Sequence, residues 1–327
     1  MLIIKRHNTN PYVNLATEEY VLKHFDEDSF MLWRNEPSII VGKHQNTLAE
    51  INLDYVTANK IKVVRRLSGG GAVFHDLGNI NFTFISQGKP GSLVDFRKYT
   101  EPILEVMQKM GIDARFEGRN DLTIDGRKFS GNAEHVYKDR VLHHGTLLFS
   151  ATMADLTGAL KVDPSKFSDK AVKSVRSRVT NISEHLKEPM EVEEFMDLVR
   201  NHVHEKYPDA KVIELSDEDH ANIQKMVDEK YSTWDWNFGY SPAYGFRKII
   251  KTEKGGHVEM NLQVEGGIIT AVKIFGDYFS LKDTDELENA LTGLPHEHEA
   301  ILNFTTHTHI GEYFAHVTKE EFISLFF

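Results

Sequence analysis

Two clusters in this 327-residue chain combine residue types that can manage negative charge at a reacting centre. The first is Arg65-Arg66-Leu67-Ser68-Gly69-Gly70-Gly71-Ala72-Val73-Phe74-His75-Asp76. Glycines let backbone N–H groups approach a phosphate closely, and an adjacent arginine adds a delocalised positive charge. A glycine-rich turn between strands would account for the glycines alone, but a mere turn does not require two arginines just upstream of it. The run is not one of the common nucleotide fingerprints. A Walker loop needs Gly-Lys-Ser/Thr, whereas Gly42-Lys43 precedes His44 and Gly88-Lys89 precedes Pro90. The dinucleotide pattern fails because Phe74 stands where its last glycine should be.

The second cluster is split over three short segments: Gly118-Arg119-Asn120-Asp121, then Gly126-Arg127-Lys128-Phe129-Ser130-Gly131-Asn132-Ala133, then His143-His144-Gly145-Thr146. Taken singly, Lys128 reads as an exposed lysine and His144 as a structural histidine. Their joint spacing makes them candidates for more. The pairs His202 with His204, His296 with His298 and His307 with His309 read as structural or surface residues, because no further motif completes a recognised metal site.

Composition narrows the chemistry. The chain has no cysteine, which removes disulfides, cysteine-ligated zinc, iron–sulfur clusters and any thioester carried on the protein. Lys and Arg number 38 against 49 Asp and Glu, and the resulting net charge of -11 opposes non-specific binding to nucleic acid. Against that acidic background, Lys161 to Arg178 carries Lys161, Lys166, Lys170, Lys173, Arg176 and Arg178 with only Asp163 and Asp169. It reads either as a solvated loop or as a surface that closes over a site and docks an acidic carrier protein. The start, MLIIKRHNTN, lacks the apolar core and cleavage site of a signal peptide, and no apolar run elsewhere reaches bilayer-spanning length. A soluble, cytoplasmic, non-membrane protein is expected.

The elements that must hold these residues alternate between helix and strand. Asn14 reads as the N-cap of a helix through Phe25, with Leu15, Tyr20, Val21, Leu22 and Phe25 on its apolar face. Phe30 to Arg34, Ser38 to Val41 and Ile61 to Arg66 read as strands, and Ile80, Phe82 and Phe84 alternate with Asn81 and Thr83 at strand period, so strands flank the glycine cluster. Asp125-Gly126 predicts a tight hairpin turn, with Lys128 and Phe129 just beyond it facing opposite ways. Val141 to Phe149 is a further strand. Helices are predicted over Val192 to Tyr207 and Asp217 to Tyr231, the latter opened by a capping box of Ser216 and Asp219. The stretch Trp234 to Pro242 is rich in turn formers and marks a domain boundary, and beyond it a hairpin around Gly266-Gly267 joins strands Val258 to Val264 and Ile268 to Phe275. Domains are therefore expected over residues 1–240 and 246–327.

With these motifs assembled, the chain resembles the bacterial type of lipoate–protein ligase. The match runs from Asn14-Leu15-Ala16 to Ser174-Val175-Arg176-Ser177-Arg178-Val179-Thr180-Asn181, and the C-terminal segment is similar to the accessory domain of the same family. The resemblance implies an α+β (mixed α/β) fold. Its catalytic domain would be like those of biotin ligases and class II aminoacyl-tRNA synthetases, followed by a small α+β accessory domain. It implies activation of free lipoate with ATP and Mg²⁺, then transfer to a lysine of a lipoyl domain, in a 2-oxoacid dehydrogenase E2 subunit or the glycine-cleavage H protein, by a monomer. The resemblance makes Lys128 the catalytic group. Arg66, Gly71, Ala72, Val73, Phe74, His75, Asn79, Asn120, Gly131, Asn132, Ala133, His144, Gly145 and Thr146 would bind ATP or lipoyl-AMP. Asp121 would orient the attacking amine or bind Mg²⁺. Adenylation gathers negative charge where a carboxylate meets the α-phosphate, and a lysine ammonium beside a phosphate cradle is suited to neutralise it. An ATP-independent octanoyl or lipoyl transferase is the alternative in the same fold, but transferases that form an acyl-thioester need a cysteine.

Overall fold

The computed structural model describes residues 1–88, 95–152, 158–160, 167–169, 178–252, 257–276, 282–314 and 317–327. The chain divides into two units. The first comprises Met1–Lys43, Asn59–Leu160 and Ser174–Thr233; the second comprises His44–Ala58, Lys161–Lys173 and Trp234–Phe327. Most of the basic segment Lys161 to Arg178 lies outside the described residues.

In the first unit the strands are β1 (Leu2–Ile4), β2 (Ser29–Arg34), β3 (Ser38–Val41), β4 (Lys62–Arg65), β5 (Val73–His75), β6 (Asn79–Gln87), β7 (Ala114–Glu117), β8 (Asp121–Ile124), β9 (Arg127–Tyr137) and β10 (Arg140–Leu148). With β12 (Lys211–Ile213) they form an eight-stranded sheet in the order β12-β1-β2-β6-β10-β9-β8-β7 and a three-stranded sheet in the order β4-β3-β5. The large sheet is mixed: β1 runs parallel to β12 and β2, and the remaining pairs are antiparallel. Asn79 to Ser86 are buried on both faces of β6, so the polar side chains that alternate with Ile80, Phe82 and Phe84 point into the protein rather than to solvent. That central strand sits over a core that includes Phe30, Phe129, Leu147, Phe149 and Phe195.

The first helix, α1 (Pro11–His24), begins one turn earlier than the sequence suggests. Asn10 caps it, accepting from the Tyr12 N–H at 3.1 Å, and Pro11 takes the first helical position, where a missing N–H leaves nothing unsatisfied. Asn14 is instead a buried crosslink whose Nδ2 donates to Asn8 O, Arg34 O and Asn35 Oδ1. The helix is enclosed on nearly every side, so its two carboxylates, Glu18 and Glu19, are buried with partners. After α2 (Leu53–Ala58), which belongs to the second unit, come α3 (Phe96–Lys109), α4 (Val192–Lys206) and α5 (Asp217–Met226), the last opened by the expected Ser216–Asp219 capping box. The helix predicted to reach Tyr231 widens at Val227–Tyr231 into a turn with π-type spacing.

In the second unit β11 (Phe167–Asp169), β13 (Tyr244–Lys251), β14 (His257–Glu265) and β15 (Ile268–Gly276) form an antiparallel sheet in that order. The Gly266-Gly267 hairpin is as expected, whereas β13 is a further strand that the sequence reading does not pick out. Asp235–Gly239 is a helical turn rather than the irregular stretch its composition suggests. Helices α6 (Thr284–Leu291), α7 (His298–His307), α8 (Ile310–Tyr313) and α9 (Lys319–Ser324) complete the unit, and Leu287, Ile301 and Phe322 share a core with Val258, Met260 and Leu262. His296 is buried there between Tyr244 OH at 2.6 Å and the Phe326 carbonyl at 2.7 Å, a structural role.

The predicted hairpin turn is present: Asp125 and Gly126 adopt left-handed backbone with φ of 52° and 68°, the type I′ geometry. The register between β8 and β9 then slips from Leu122↔Ser130 to Thr123↔Lys128, leaving Phe129 as the extra residue of a bulge. Phe129 is fully buried while the Lys128 side chain keeps 28% exposure, the inward and outward split that the alternation predicts. Phe129→Ala should therefore lower the unfolding free energy by about 3–5 kcal/mol in urea denaturation; a loss below about 1 kcal/mol would mean that the bulge is not anchored by this ring.

Candidate functional site

Lys128 is held by its backbone as well as by its side chain. Its N–H donates to Arg178 O at 2.8 Å and its carbonyl accepts from Thr180 N–H at 3.0 Å, so the segment 178–180 runs beside it as an added strand. The ammonium lies 2.8 Å from Asp121 Oδ1. It also lies directly over Gly131: a Cβ there would stand 2.8 Å from both Lys128 Cε and Nζ, so only glycine admits the lysine in this position. Thr146 Oγ1 accepts from the Gly131 N–H at 3.2 Å, and Asn120 and Asn132 are clasped to each other, Asn132 N–H and Nδ2 both donating to Asn120 O at 3.0 Å. Gly145 lies opposite Asn132 in the β10–β9 register, and its missing side chain leaves room for Asn132 Oδ1 and the Phe82 ring. Ala133 is paired with His144. The three segments of the second cluster thus meet on β8, β9 and β10.

The glycine loop is built around Arg66. This side chain is buried, and its guanidinium donates to the carbonyls of Ile40, Gly69 and Gly71 at 3.1, 2.6 and 2.9 Å and to Ser68 Oγ at 3.1 Å. Burial lowers its pKa to about 10, and Arg65 adds to the effect while Glu18 opposes it, so the group stays charged at neutral pH. Arg65, also buried, donates to the carbonyls of Gly42 and Lys43. Both arginines therefore gather loop carbonyls inward.

A buried polar chain ties this loop to β10. Ser68 Oγ accepts from Arg66 Nε and stands 2.6 Å from His144 Nε2, and His144 Nδ1 faces both oxygens of Glu18 at 3.0 Å. Glu18 Oε1 also accepts from Thr83 Oγ1 at 2.6 Å, which in turn accepts from Trp33 Nε1 at 2.9 Å. The donors run consistently if His144 carries its proton on Nδ1: Arg66 to Ser68, Ser68 to His144, His144 to Glu18. The array has the residue types of a Ser–His–acid nucleophile, but Ser68 is 1% exposed and already engaged by Arg66, so it holds the loop rather than attacks. Ser68, Glu18, Thr83 and Trp33 were not among the site residues expected from sequence. The available signal was a glutamate within the buried part of an apolar helix, a position that requires a partner.

His75 and Asn79 face the same interior. His75 Nδ1 lies 3.1 Å from Asn35 Nδ2, while its Nε2 and Asn79 Oδ1 are buried polar atoms with no protein partner. Burial pushes the His75 pKa down to about 3, helped by Arg66 and His144, so its ring is neutral and its Nε2 is a donor. A buried donor and acceptor left unmatched by protein fit a polar ligand. Ala72 and Phe74 are buried beside them, Phe74 pairing with Ile39 across β5 and β3.

Fold and site together define a mixed α+β domain with a glycine loop shaped by buried arginines and one positioned lysine, and comparison with known proteins assigns its family. Residues 10–204 match the lipoyl protein ligase A/B catalytic domain and residues 241–326 match the bacterial lipoate protein ligase C-terminus. The chain belongs to the lipoyl protein ligase family. It is 43% identical to lipoate-protein ligase LplJ of Bacillus subtilis, over 100% of both chains. Among solved structures it is similar to P. falciparum LipL1 in complex with lipoate, with 28% identity, 94% of each chain covered and a TM-score of 0.63. It is similar also to a lipoate-protein ligase A bound with ATP, with 25% identity, 73% of this chain and 98% of that one covered and a TM-score of 0.63.

The neutral His75 has a consequence for acid stability. Its folded pKa of about 3 lies below the ordinary value of 6.5, so its contribution is fully present above pH 6.5 and is lost as pH falls from 6.5 towards 3. The loss approaches about 1.4 kcal/mol per pH unit. His75→Asn keeps an acceptor at the Nδ1 position for Asn35 and should flatten this acid limb in urea melts between pH 7 and 4; equal slopes for both proteins would show that His75 does not titrate this way.

Proposed function

We propose that this chain is an ATP-dependent lipoate–protein ligase. A carboxylate oxygen of free lipoate attacks the α-phosphorus of ATP, the bond to the β-phosphate oxygen breaks, and pyrophosphate leaves. The ε-amine of an acceptor lysine then attacks the acyl carbon of lipoyl-AMP, the amine proton is lost, and AMP departs. The observation that carries the reading is the Lys128 ammonium laid over Gly131 and braced by Asp121, on strands tied to the arginine-shaped loop through Ser68 and His144.

In this reading the glycine loop and the segment Gly71 to Phe74 bind the phosphates of ATP, with Arg66 holding the loop's shape. Lys128 neutralises the charge gathered between carboxylate and α-phosphate. His75 and Asn79 supply the unmatched donor and acceptor for polar atoms of the nucleotide. Asp121 releases the ammonium when anions arrive and is then placed to orient the incoming amine or to ligate Mg²⁺. The described residues contain no group of three or more acidic or histidine side chains suited to a metal, so Mg²⁺ would come with the phosphates rather than occupy an all-protein cage. The acceptors are lipoyl domains of 2-oxoacid dehydrogenase E2 subunits or the glycine-cleavage H protein. No helix among the described residues is long and apolar enough to cross a membrane. The reading places the protein in the cytoplasm as a monomer. A transferase that carries its acyl group on a cysteine is excluded by composition.

Purified protein with ATP, magnesium and lipoic acid should yield lipoyl-AMP and pyrophosphate, and adding a lipoyl domain should yield the lipoylated lysine. Lys128→Ala should retain the wild-type circular dichroism spectrum and lose pyrophosphate release by about 10²–10³-fold; a variant that still turns over normally refutes the assignment of Lys128. Gly131→Ala displaces the ammonium without removing it and should lower the same rate by about tenfold or more. An unchanged rate in that variant would mean that the observed lysine position is not the working one.

A further inference from the structure

His143 adjoins His144, yet the reaction outlined above makes no use of it. Its side chain is fully buried. The rings of Phe82 on β6 and of Phe96 and Tyr99 on α3 surround it, with centroids at 5.7, 5.8 and 5.0 Å. Its Nδ1 lies 2.9 Å from Oε1 of Glu134, its partner across the β10–β9 ladder, and its Nε2 lies 3.2 Å from Asn132 Oδ1.

Which amide atom of Asn132 faces the histidine follows from its other contacts. Its Nδ2 donates to Asn120 O at 3.0 Å and to Ser130 Oγ at 3.2 Å. Flipping the amide would set its oxygen against the Asn120 carbonyl, so the atom facing His143 is Oδ1, which can only accept. His143 must therefore carry a proton on Nε2. A single further proton lies between Nδ1 and Glu134 Oε1. Glu134 on β9, Asp95 at the start of α3 and His144 on the same strand are the charged or titratable groups acting on the ring; burial lowers its pKa and the Glu134 hydrogen bond opposes that.

Asn132 passes the constraint onward. Its N–H donates to Asn120 O at 3.0 Å and its carbonyl accepts from Asn120 Nδ2 at 2.5 Å. The clasp closes immediately beside Asp121 and Gly131, which pair in register and seat the Lys128 ammonium. We propose that His143 is a positioning residue whose Nε2–H orients Asn132 and, through the Asn120–Asn132 clasp, sets the seat of Lys128. The proposal rests on the role given above to Lys128.

Two measurements test it. In ¹⁵N-histidine NMR of the whole protein at pH 7, the His143 Nε2 resonance, assigned by its loss in His143→Gln, should show a directly bonded proton; an unprotonated Nε2 overturns the proposal. The double substitution Glu134→Met with His143→Met removes both members of the buried pair, so no lone charge remains in the core. It should lower kcat for pyrophosphate release by about tenfold or more while KM for ATP and lipoate moves by less than about threefold. His143→Gln keeps a donor towards Asn132 and should stay within about threefold of wild type. A folded double variant with the wild-type kcat, or a His143→Gln enzyme as slow as the double variant, overturns the proposal. If the double variant does not fold, the NMR result and His143→Gln decide. A wild-type protein that released no pyrophosphate would instead remove the ligase reading and leave the NMR result standing.

Discussion

A lysine ammonium 2.8 Å from a carboxylate and laid across a glycine is the contact around which the first unit is arranged. Both charged side chains retain about a third of their exposure, so the pair adds little to stability in water. Its importance is positional. A flexible four-carbon stem ordinarily samples many rotamers; here its backbone is held by β8 and by the 178–180 segment, the absent Cβ of Gly131 leaves the space it occupies, and Asp121 engages its end. The seat lies on paired strands rather than on a free loop, and groups carried on strands are held more precisely than groups on loops.

The arginines work differently from the lysine. Arg65 and Arg66 stand just upstream of the glycines, where a reader of the sequence would aim them at phosphate, yet both are buried against loop carbonyls. The chain thereby turns cationic side chains into a template for the glycine loop. Glu18, buried on α1, supplies nearby opposite charge, so the positive groups are not enclosed alone. A guanidinium with fixed planar donors suits this task better than an ammonium, because it can hold several carbonyls at once.

Polar residues in the middle of the sheet complete the arrangement. Asn79, Asn81 and Thr83 on β6 are buried where an all-apolar strand would pack more simply. Their presence, with a neutral His75 and the Glu18–His144 contact, makes a polar interior between the loop and the Lys128 seat. Such an interior is tolerable only when its members are satisfied, and the unmatched His75 Nε2 and Asn79 Oδ1 are the exceptions that point to a ligand.

The Asp125-Gly126 turn, the opposite facing of Lys128 and Phe129, the capping box of α5 and the strands around the glycine cluster were all legible in the sequence, because each depends on backbone preferences of residues close in the chain. The absence of cysteine and the acidic charge likewise bounded the chemistry before any fold was known. The start of α1 was misread because Asn14 resembles a cap, and its real task, joining Asn8, Arg34 and Asn35, depends on residues far away in sequence. Strand β13 and the helical turn at Asp235–Gly239 escaped because tertiary packing overrode weak local preference. The inward turn of Arg66, the chain from Ser68 through His144 to Glu18, and the clasp of Asn120 with Asn132 could be decided only by the folded chain. Local pattern says where an element begins and which way a residue faces; which buried donor meets which acceptor across some tens of residues is set by strand register and packing, and no spacing along the sequence encodes that.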